Sequence, residues 1–422
     1  MQGVRRRRLA ADLTPLRVSR ELRLLVLGNV VSGMGTQAAL VALPYQVYIE
    51  THSALKTGLL GAAELLPLVT MALLGGALAD RTDRRRLLLL DQVALVAVSA
   101  TLCALAIAGS PPLGVLYVLA GLLAGFGAIQ NVARSAIVPN LVEPARLHSA
   151  LAVNFGLYQL TMVVGPAVGG LLIAAGGVQV AYGVDALSCF AMVFALIGMR
   201  PQLPHGHGDE RPPILRSIAE GLRFVRGKQA LLGSFAIDLM AMTFGMPRAL
   251  FPVLAVSVYH AGASGTGVLF AAVSAGATVA ALVTGWLDRV SRLGLVVIGA
   301  VAIWGAAIAL AGLAPSIWLA AACLALAGAA DSVSAVCRQI INQTVTPDAM
   351  RGRMSSVFSL VVTSGPRLGD IESGAVAAAT SARFSVTSGG LACIAGTALI
   401  VLAFPELAAY DRRSPEELRQ AA

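Results

Sequence analysis

Charged side chains lie inside long apolar stretches of this 422-residue chain. Because a charge is costly at membrane depth, each of them is a candidate for function. Apolar surroundings favour the uncharged form of a carboxyl group, so such a group can bind and release a proton near neutral pH. Proton exchange of this kind could drive a transport reaction. The candidates for proton coupling are Glu64, Asp238, Asp331, Asp370 and Glu372.

Two of these acids have an arginine close to them in the sequence. Asp331 and Arg338 are seven residues apart, which places them on one face of a helix. Arg367 and Asp370 are three residues apart and can pair. Both arrangements fit a transport site, and both fit static ion pairs that hold helices together. For Asp331 and Arg338 we favour the transport site, because Arg134 occupies the matching place in the first half of the chain.

Three further acids lie within apolar stretches. Asp185 lies within an apolar stretch, as do Glu64 and Asp238. Glu64 and Asp238 have no cation near them in the sequence, so we expect these two to be the better protonation sites. The sequence leaves open which of them couples to transport.

Uncharged polar residues recur at helical spacing in the first half of the chain. Asn29, Gly33 and Thr36 share one face of a helix, and Asn154 and Tyr158 share a face of another. Such side chains could line a cavity and hydrogen-bond a substrate, and interhelical hydrogen bonding is an equally weighted alternative. The candidates for the cavity and the substrate are Asn29, Gln37, Gln130, Arg134, Asn154, Tyr158, Arg338, Asn342 and Arg367.

Helices that cross a membrane must position these residues. Hydrophobic residues make up 57% of the chain and charged residues 13%, and the mean hydropathy is +0.78. A soluble protein of this size could not bury so much apolar surface. Because one span needs about 20 apolar residues, we predict an all-α membrane protein with twelve transmembrane helices. Spans 1 to 12 are predicted at 22–49, 54–79, 87–109, 113–138, 149–175, 178–199, 229–259, 264–287, 293–313, 316–346, 353–379 and 383–404.

Basic residues are distributed unevenly between the two ends of these spans. With the N-terminus in the cytoplasm, inner loops and tails hold 25 of the 31 lysines and arginines, and outer loops hold only Lys56 and Arg383. By the positive-inside rule, both termini are predicted to be cytoplasmic in the cell membrane. The net charge of +9 therefore indicates contact with anionic lipid of the inner leaflet rather than with nucleic acid.

A polar break divides the apolar stretches into two sets of six. Apolar residues at helical spacing predict an amphipathic surface helix within it, from Ile214 to Gly227. His205 and His207 are interpreted as solvated linker residues rather than metal ligands, and we expect no metal or cofactor. The predicted organisation is a cytosolic tail at 1–21, a six-helix bundle at 22–199, a cytosolic linker at 200–228, a second six-helix bundle at 229–404 and a cytosolic tail at 405–422.

The two sets of six repeat three motifs at nearly one offset. The matched motifs are Asp80-Arg81 with Asp288-Arg289, Gly165-Pro166 with Gly365-Pro366, and Arg134 with Arg338. Their offsets are 208, 200 and 204 residues. A duplicated six-helix unit is typical of secondary transporters, whose substrate site lies between the repeats. The two Gly-Pro pairs are candidates for helix bends or close helix contacts.

The turn between spans 2 and 3 resembles the signature of the major facilitator superfamily. That signature has the form G-x-L-x-D-R-x-G-R-R, and residues 76–85 read GALADRTDRR, with Asp83 in place of the usual glycine. The segments Gly165–Gln179 and Pro347–Arg353 are most similar to the enterobactin-exporter and drug-efflux branch. The resemblance implies alternating access by two bundles, which the aspartate-arginine pair of this turn latches together in the outward-facing state. The implied gating motif is Gly76, Asp80, Arg81, Arg84 and Arg85.

Several enzyme motifs are missing from the sequence. It contains no GxxxxGK[ST] loop, HExxH or GxSxG motif, which disfavours an enzyme. We predict a proton-coupled exporter of a small organic compound, such as a siderophore or a drug, that acts as a monomer by alternating access. The direction of transport follows from the resemblance alone. A solute importer or uniporter of the same fold is one alternative, and a non-transporting membrane sensor or scaffold is another.

Overall fold

The computed structural model describes residues 14–109, 111–143, 146–203, 214–347 and 350–412, and these residues are almost entirely helical. Eleven long helices form spans 1 to 6 and 8 to 12, and a broken helix forms span 7. The helices, in the order of these spans, are Arg20–Thr51, Ala54–Arg81, Arg84–Ala108, Leu113–Ile137, Leu147–Gly176, Val178–Ile197, Gln229–Phe244, Gly262–Val283, Leu293–Leu313, Ile317–Val345, Arg351–Ala379 and Ala382–Ala403. The shorter helical segments are Thr14–Val18, Val138–Leu141, Ile214–Arg226, Arg248–Leu250, Phe251–Val253, Leu254–Val258, Thr284–Arg289 and Pro405–Ala409.

Eleven spans within the described part of the chain are long and apolar enough to cross a membrane, with Gln229–Val258 taken as one. Span 11 is also long, with 29 residues, but Arg367, Asp370 and Glu372 in its sequence make it less apolar. It packs against spans 2, 7 and 12, so its charged side chains can pair with groups of the protein instead of facing lipid. The predicted all-α membrane fold is confirmed.

Span 7 differs from the continuous helix predicted at 229–259. The first helix ends at Phe244, and the chain continues through Gly245 and Pro247 into short helical turns. Proline has no N–H for a helical hydrogen bond and disfavours a helical residue before it, which explains the break. The break places Arg248 at membrane depth, where the sequence alone treats it as part of an unbroken span.

The spans fold into two halves, spans 1 to 6 and spans 7 to 12. Helix ends such as Arg20 and Arg81 lie at one face of the bundle, here called the terminal face. The turns after span 1 at His52 and after span 11 at Thr380 lie at the other, here called the opposite face. Within the first half span 1 packs on spans 5 and 6, and within the second half span 9 packs on spans 10 and 12.

Close contacts between the halves lie toward the opposite face. Span 2 packs on span 11, and span 5 packs on span 8. Glycines permit both approaches: a Cβ on Gly58 would lie 2.9 Å from the Cα of Gly374, and a Cβ on Gly170 would lie 2.9 Å from the Cα of Gly267. The Tyr48 hydroxyl of span 1 also contacts the Ser257 hydroxyl of span 7. The halves are therefore closed against each other on this side.

The Gly-Pro pairs occupy equivalent positions in the two halves. Span 5 remains helical through Pro166, and span 11 remains helical through Pro366. A Cβ on Gly165 would lie 2.6 Å from the Cβ of Gln37 in span 1. In the same way, a Cβ on Gly365 would lie 2.8 Å from the Cβ of Met242 in span 7. These glycines thus allow close helix contact, which is one of the two roles predicted for the pairs.

The polar linker is anchored at both of its described ends. The Gln202 backbone N–H donates to Asp83 Oδ1 at 2.8 Å, and the Arg84 N–H donates to the Gln202 carbonyl at 3.1 Å. At the other end, the helix Ile214–Arg226 packs on span 11, where Arg353 Nε lies 3.0 Å from Glu220 Oε2. His205 and His207 lie outside the described residues, and the domain boundaries stay a prediction.

Candidate functional site

A cavity of about 450 Å³ lies between the two halves, and we call it the central cavity. Spans 1, 2, 4 and 5 of the first half face span 11 of the second half across it. Asn131 and Ser135 on one wall and Ser359 and Thr363 on the other are exposed, and all four lie in the parts of their helices toward the terminal face. The cavity is therefore accessible from the terminal face and closed on the opposite face.

Most of the residues predicted to line a cavity do so. The predicted residues at the central cavity are Asn29, Gln37, Gln130, Arg134, Tyr158 and Arg367. Asn154, Arg338 and Asn342 are not among the lining residues, which corrects the prediction for these three. Arg338 forms ion pairs with Asp238 and Asp331. The Asn342 Oδ1 accepts a hydrogen bond from Thr346.

Arg134 is held by two helices at the wall of the central cavity. Its Nη2 donates to Asn131 Oδ1 at 2.9 Å, and its Nη1 donates to Asn29 Oδ1 of span 1. The guanidinium carbon lies 4.7 Å from the ring centroid of Tyr158 in span 5. Stacking on an aromatic face stabilises the cation without neutralising it. Arg134 therefore presents a positive charge to the cavity, with no carboxylate bound to it among the described residues.

Four charged residues form an inter-half ionic cluster (Glu64, Arg248, Arg367 and Asp370). Arg367 Nη2 of span 11 lies 2.8 Å from Glu64 Oε2 of span 2, which bridges the halves. Asp370 Oδ2 lies 3.8 Å from Arg367 Nη1 and 3.4 Å from Arg248 Nη2. The Ala249 N–H donates to Asp370 Oδ1 at 3.0 Å. The break in span 7 supplies both Arg248 and this N–H, so the break helps to build the cluster.

A second pocket of about 180 Å³ adjoins the central cavity on the side of the opposite face. Glu64 and Arg367 line both spaces, and so do Gln37 and Met162. The Glu64–Arg367 ion pair and the contact of Gln37 Nε2 with Met162 Sδ thus form the wall between them. Arg248 and Asp370 line the second pocket only. Opening this wall would join the two spaces into one path between the halves.

The acids expected to be the best protonation sites have arginine partners in the structure. Glu64 pairs with Arg367, and Asp238 Oδ1 forms a buried ion pair with Arg338 Nη1 of span 10. Asp331 Oδ1 lies 3.4 Å from Arg338 Nη2, as its spacing predicted. Glu64 and Asp238 have no cation near them in the sequence, but helix packing brings in arginines that are remote in sequence.

Two other buried acids have no basic partner among the described residues. Asp185 of span 6 is hydrogen-bonded by hydroxyl groups, from Ser99 at 2.6 Å and from Thr36 at 3.2 Å. Asp91 of span 3 is 3% exposed, and neither of its carboxylate oxygens has a hydrogen-bond partner. Asp91 was not among the predicted site residues, although its place in an apolar run was the available signal. Glu372 is half-buried on span 11 without a described hydrogen bond or ion pair.

The signature turn ties together the helix ends of the first half. Arg84 Nη1 donates to the Ala136 carbonyl at the end of span 4, at 2.8 Å. Arg85 donates to the carbonyls of Leu196 and Ile197 at the end of span 6, at 2.6 and 3.1 Å. Cations bound at helix C-termini also complement the helix dipole. In this state Arg84 and Arg85 therefore hydrogen-bond to helices of the first half, to which they themselves belong.

The other residues of the signature turn that the structure describes do not bind the helix ends of spans 4 and 6. Asp83 Oδ1 accepts from the Arg85 N–H at 3.0 Å and caps span 3, which gives a local reason for the departure from glycine. Arg81 is exposed at the end of span 2, where Gly76 also lies. The side chain of Asp80 lies outside the described part of the structure, so the latch stays a prediction. No group of acids, histidines and cysteines suited to a metal ion occurs among the described residues.

Comparisons with known proteins agree along the whole chain. The profile of the transmembrane secretion effector family matches residues 10–421. The enterobactin exporter of Escherichia coli O139:H28 is 31% identical over 408 residues, which cover 96% of this chain and 97% of that protein. The enterobactin exporter of Escherichia fergusonii has the same identity and coverage.

Solved structures of transporters share the fold at low sequence identity. An inward-facing bacterial homologue of the human lysosomal transporter Spinster matches with a TM-score of 0.70 at 16% identity, over 94% of this chain and 98% of that one. An inward-facing bacterial homologue of the iron transporter ferroportin matches with a TM-score of 0.65 at 15% identity, over 92% of this chain and 98% of that one. At these identities the likeness concerns the fold.

Proposed function

Because the chain belongs to the transmembrane secretion effector family of the major facilitator superfamily, we propose that it exports a small organic compound in exchange for protons. The chain is a multi-pass inner-membrane secondary transporter and not an enzyme. The observation that carries the proposal is the central cavity, which lies between two repeated halves and is accessible from one face only. Alternating access uses a site of this kind, exposed first to one side and then to the other.

The charges of the central cavity favour a substrate that is anionic or rich in hydroxyl groups. Arg134 and Arg367 line it together with one acid, Glu64, so the arginines exceed the carboxylates by one. Asn29, Gln37 and Gln130 add amide groups that can donate and accept hydrogen bonds. A siderophore has this chemistry, and the 31% identical relatives are enterobactin exporters. We therefore assign the substrate to the siderophore class.

The orientation of the chain supports the direction of transport. The terminal face carries arginines such as Arg81, Arg84, Arg85, Arg86 and Arg200, so the positive-inside rule places it in the cytoplasm next to anionic lipid. Both termini are then cytoplasmic, and the central cavity opens to the cytoplasm. This is the state in which an exporter takes up its cargo, and a monomer contains the complete cavity.

The cycle then needs the terminal face to close and the opposite face to open. The glycine contacts and the Glu64–Arg367 pair separate on the opposite face, which joins the central cavity to the second pocket. The aspartate-arginine pair of the signature turn is proposed to hold the halves together in that second state. Arg81 is exposed in the present state, in which Arg84 and Arg85 bind the helix ends of the first half.

Flux into proteoliposomes under an imposed pH gradient tests the proposal, with enterobactin as the first probe and a panel of siderophores and drugs beside it. Arg134→Gln should lower the flux of an anionic probe by about tenfold or more, since a charge-assisted contact contributes about 1.5–3 kcal/mol. Arg223→Gln, on an exposed part of the linker helix, is the matched control and should leave the flux unchanged.

Three results would contradict the proposal. The first is a panel without any transported compound, and the second is transport that ignores the direction of the pH gradient. The third is an equal loss of flux in Arg134→Gln and Arg223→Gln, which would show that the flux does not depend on the charge of Arg134 in the cavity. Flux driven only by the gradient of the probe itself would instead indicate a uniporter.

A further inference from the structure

Arginine contacts divide the acids at membrane depth into two groups. Glu64, Asp238, Asp331 and Asp370 each lie within ion-pair distance of an arginine. An acid with an arginine beside it is stabilised in its ionised form, which opposes the binding of a proton. Asp185 belongs to the other group, because no base lies near it in the described structure. Asp91 and Glu372 also lack a base there, but of these three acids only Asp185 has described hydroxyl partners for its carboxylate.

Hydroxyl groups surround Asp185 in the core of the first half. The residue is 1% exposed, and its Oδ2 accepts from the Ser99 hydroxyl of span 3 at 2.6 Å. Oδ1 accepts from the Thr36 hydroxyl of span 1 at 3.2 Å, and the Cys189 Sγ lies 3.8 Å from the same oxygen. A hydroxyl can donate to an ionised carboxylate and accept from a protonated one. The site can therefore satisfy both forms of Asp185 by rotation of hydroxyl groups.

Thr36 connects this buried acid to the central cavity. It is partly buried, it lines the central cavity, and its hydroxyl lies 3.2 Å from Asp185 Oδ1. The same hydroxyl also lies 3.1 Å from the Ser32 carbonyl, so it has two alternative acceptors within reach. Thr36 thus contacts both Asp185 and a space that opens at the terminal face.

A buried polar atom without a hydrogen-bond partner lies in the same packed region. Gln92 of span 3 is fully buried, and its Nε2 has no hydrogen-bond partner among the described residues. Its Oε1 accepts from the Ser32 hydroxyl at 3.4 Å, and that hydroxyl lies 3.7 Å from Cys189 Sγ. Buried polar atoms are rarely left without partners, so such an atom calls for an explanation. A hydrogen-bond network that rearranges when a proton enters provides one.

The charged and titratable groups around Asp185 are few. Span 3 contributes Asp91, which is close enough to Cys189 to interact with it electrostatically, and Cys103, which donates to the Gln179 carbonyl. Span 6 itself contributes Cys189 and Tyr182, whose hydroxyl donates to Gln46. Span 1 faces Asp185 with Ser32 and Thr36, which carry no charge. No positive charge faces the acid from any of these elements in the described structure.

We propose that Asp185 binds the coupling proton and exchanges it with the central cavity through the hydroxyl of Thr36. The inference rests on the proposed proton-coupled transport and adds its proton site. When Asp185 is ionised, Thr36 donates its hydrogen to the carboxylate and offers an acceptor to the cavity. When Asp185 is protonated, the acid donates instead, and Thr36 is free to donate a hydrogen bond into the cavity. Proton binding thus changes the hydrogen-bonding character of the substrate space.

Infrared difference spectroscopy on the full-length protein in lipid tests the proton site without any substrate. Changing the pH should produce the carbonyl-stretch band of a buried protonated carboxyl group. Asp185→Asn should remove one component of this band, and Asp91→Asn, which alters an equally buried acid with no hydroxyl partner, should retain that component. A band that Asp185→Asn leaves unchanged would overturn the proposal, as would a component that depends on sodium rather than on pH.

Thr36 variants test the path and remain informative if Asp185→Asn fails to fold. Thr36→Val should slow hydrogen–deuterium exchange of the carboxyl band by about tenfold or more, because a positioned proton-transfer group is lost. Thr36→Ser should restore the rate of the natural protein. Equal exchange in the valine and serine variants would overturn the path. If the band behaves as expected but flux ignores a pH gradient, the proton site stands and the proposed antiport fails.

Discussion

Glu64 is the residue through which the first half enters the ionic cluster between the halves. Its carboxylate lies 2.8 Å from Arg367 Nη2, and the two side chains are only 10% and 15% exposed. Asp370 remains 3.8 Å from Arg367, which leaves the arginine a second and weaker partner. Because both members of the bridging pair are buried, removal of one leaves a charge that the surroundings compensate poorly.

Glu64→Gln should lower the free energy of unfolding by about 3 kcal/mol, the lower part of the range for one member of a buried ion pair. The double variant Glu64→Gln/Arg367→Gln should lose less than the sum of the two single variants, because neither charge is then left alone. Thermal unfolding of the protein in detergent measures both effects. Additive losses would contradict the pair, and Glu143→Gln at an exposed ion pair serves as the control.

The sequence predicted which side chains belong to the site more readily than it predicted their ion-pair partners. Tyr158 and Gln37 were predicted at the cavity from helical spacing and Arg134 from its match with Arg338 in the other half, and all three line it. The partners of Glu64 and Asp238 were not predicted, since each arginine comes from a helix remote in sequence and only packing brings it close.

At the scale of helices, close packing on the opposite face depends on residues without side chains. Span 5 and span 8 meet where Gly170 faces Gly267, and span 2 and span 11 meet where Gly58 faces Gly374. In a membrane, small residues allow such backbone approach, and dispersion contacts provide much of the attraction. The two crossings occupy matching places in the two halves, so both must separate for the opposite face to open.

Gly267→Leu should weaken the present state by about 1–3 kcal/mol, the usual effect of overpacking. Its Cβ would lie 2.9 Å from the Cα of Gly170, so spans 5 and 8 must move apart. Spin labels at positions 55 and 380, near the opposite face, should then show a longer distance. Gly299→Leu is the matched control, since no atom lies within 4 Å of its added Cβ. An unchanged distance in Gly267→Leu would contradict the role of this crossing.

Helix boundaries followed well from apolar runs, glycines and prolines, with one informative exception. Apolar composition continues through 229–259, so it predicted one span, whereas Pro247 and Gly245 end the regular helix at Phe244. Composition reports whether a segment can cross the membrane, and backbone chemistry decides where the helix breaks. The break matters because it brings Arg248 and the Ala249 N–H to Asp370.

At the scale of the molecule, the two repeated halves contribute different chemistry to one site. The first half supplies the amides, Arg134 and the hydroxyl-bound acid Asp185, and the second half supplies most of the ionic cluster. A common six-helix unit positions both sets, as the matching contacts of Gly165 and Gly365 show. The halves are thus alike in their packing and unlike in their polar residues.

The two anchors of the linker set a limit on how far the halves can part at the terminal face. Gln202 is bound to the signature turn of the first half, and Glu220 is bound to Arg353 of the second. Only residues 204–213 join Leu203 to Ile214. Eleven peptide steps reach at most about 37 Å when fully extended. This contour length is an upper limit, or ceiling, on the distance between Leu203 and Ile214. It therefore limits how far the halves can open at the terminal face to admit a substrate.

Deleting five residues within 204–213 should lower that ceiling to about 20 Å, since six steps remain. Flux of a bulky probe should then fall more than flux of a small one, and a variant with the same five positions replaced by glycine and serine should transport normally. Equal flux of both probes in the shortened chain would show that the opening never approaches the ceiling. The length of the linker would in this way limit the size of the compounds that the transporter can admit.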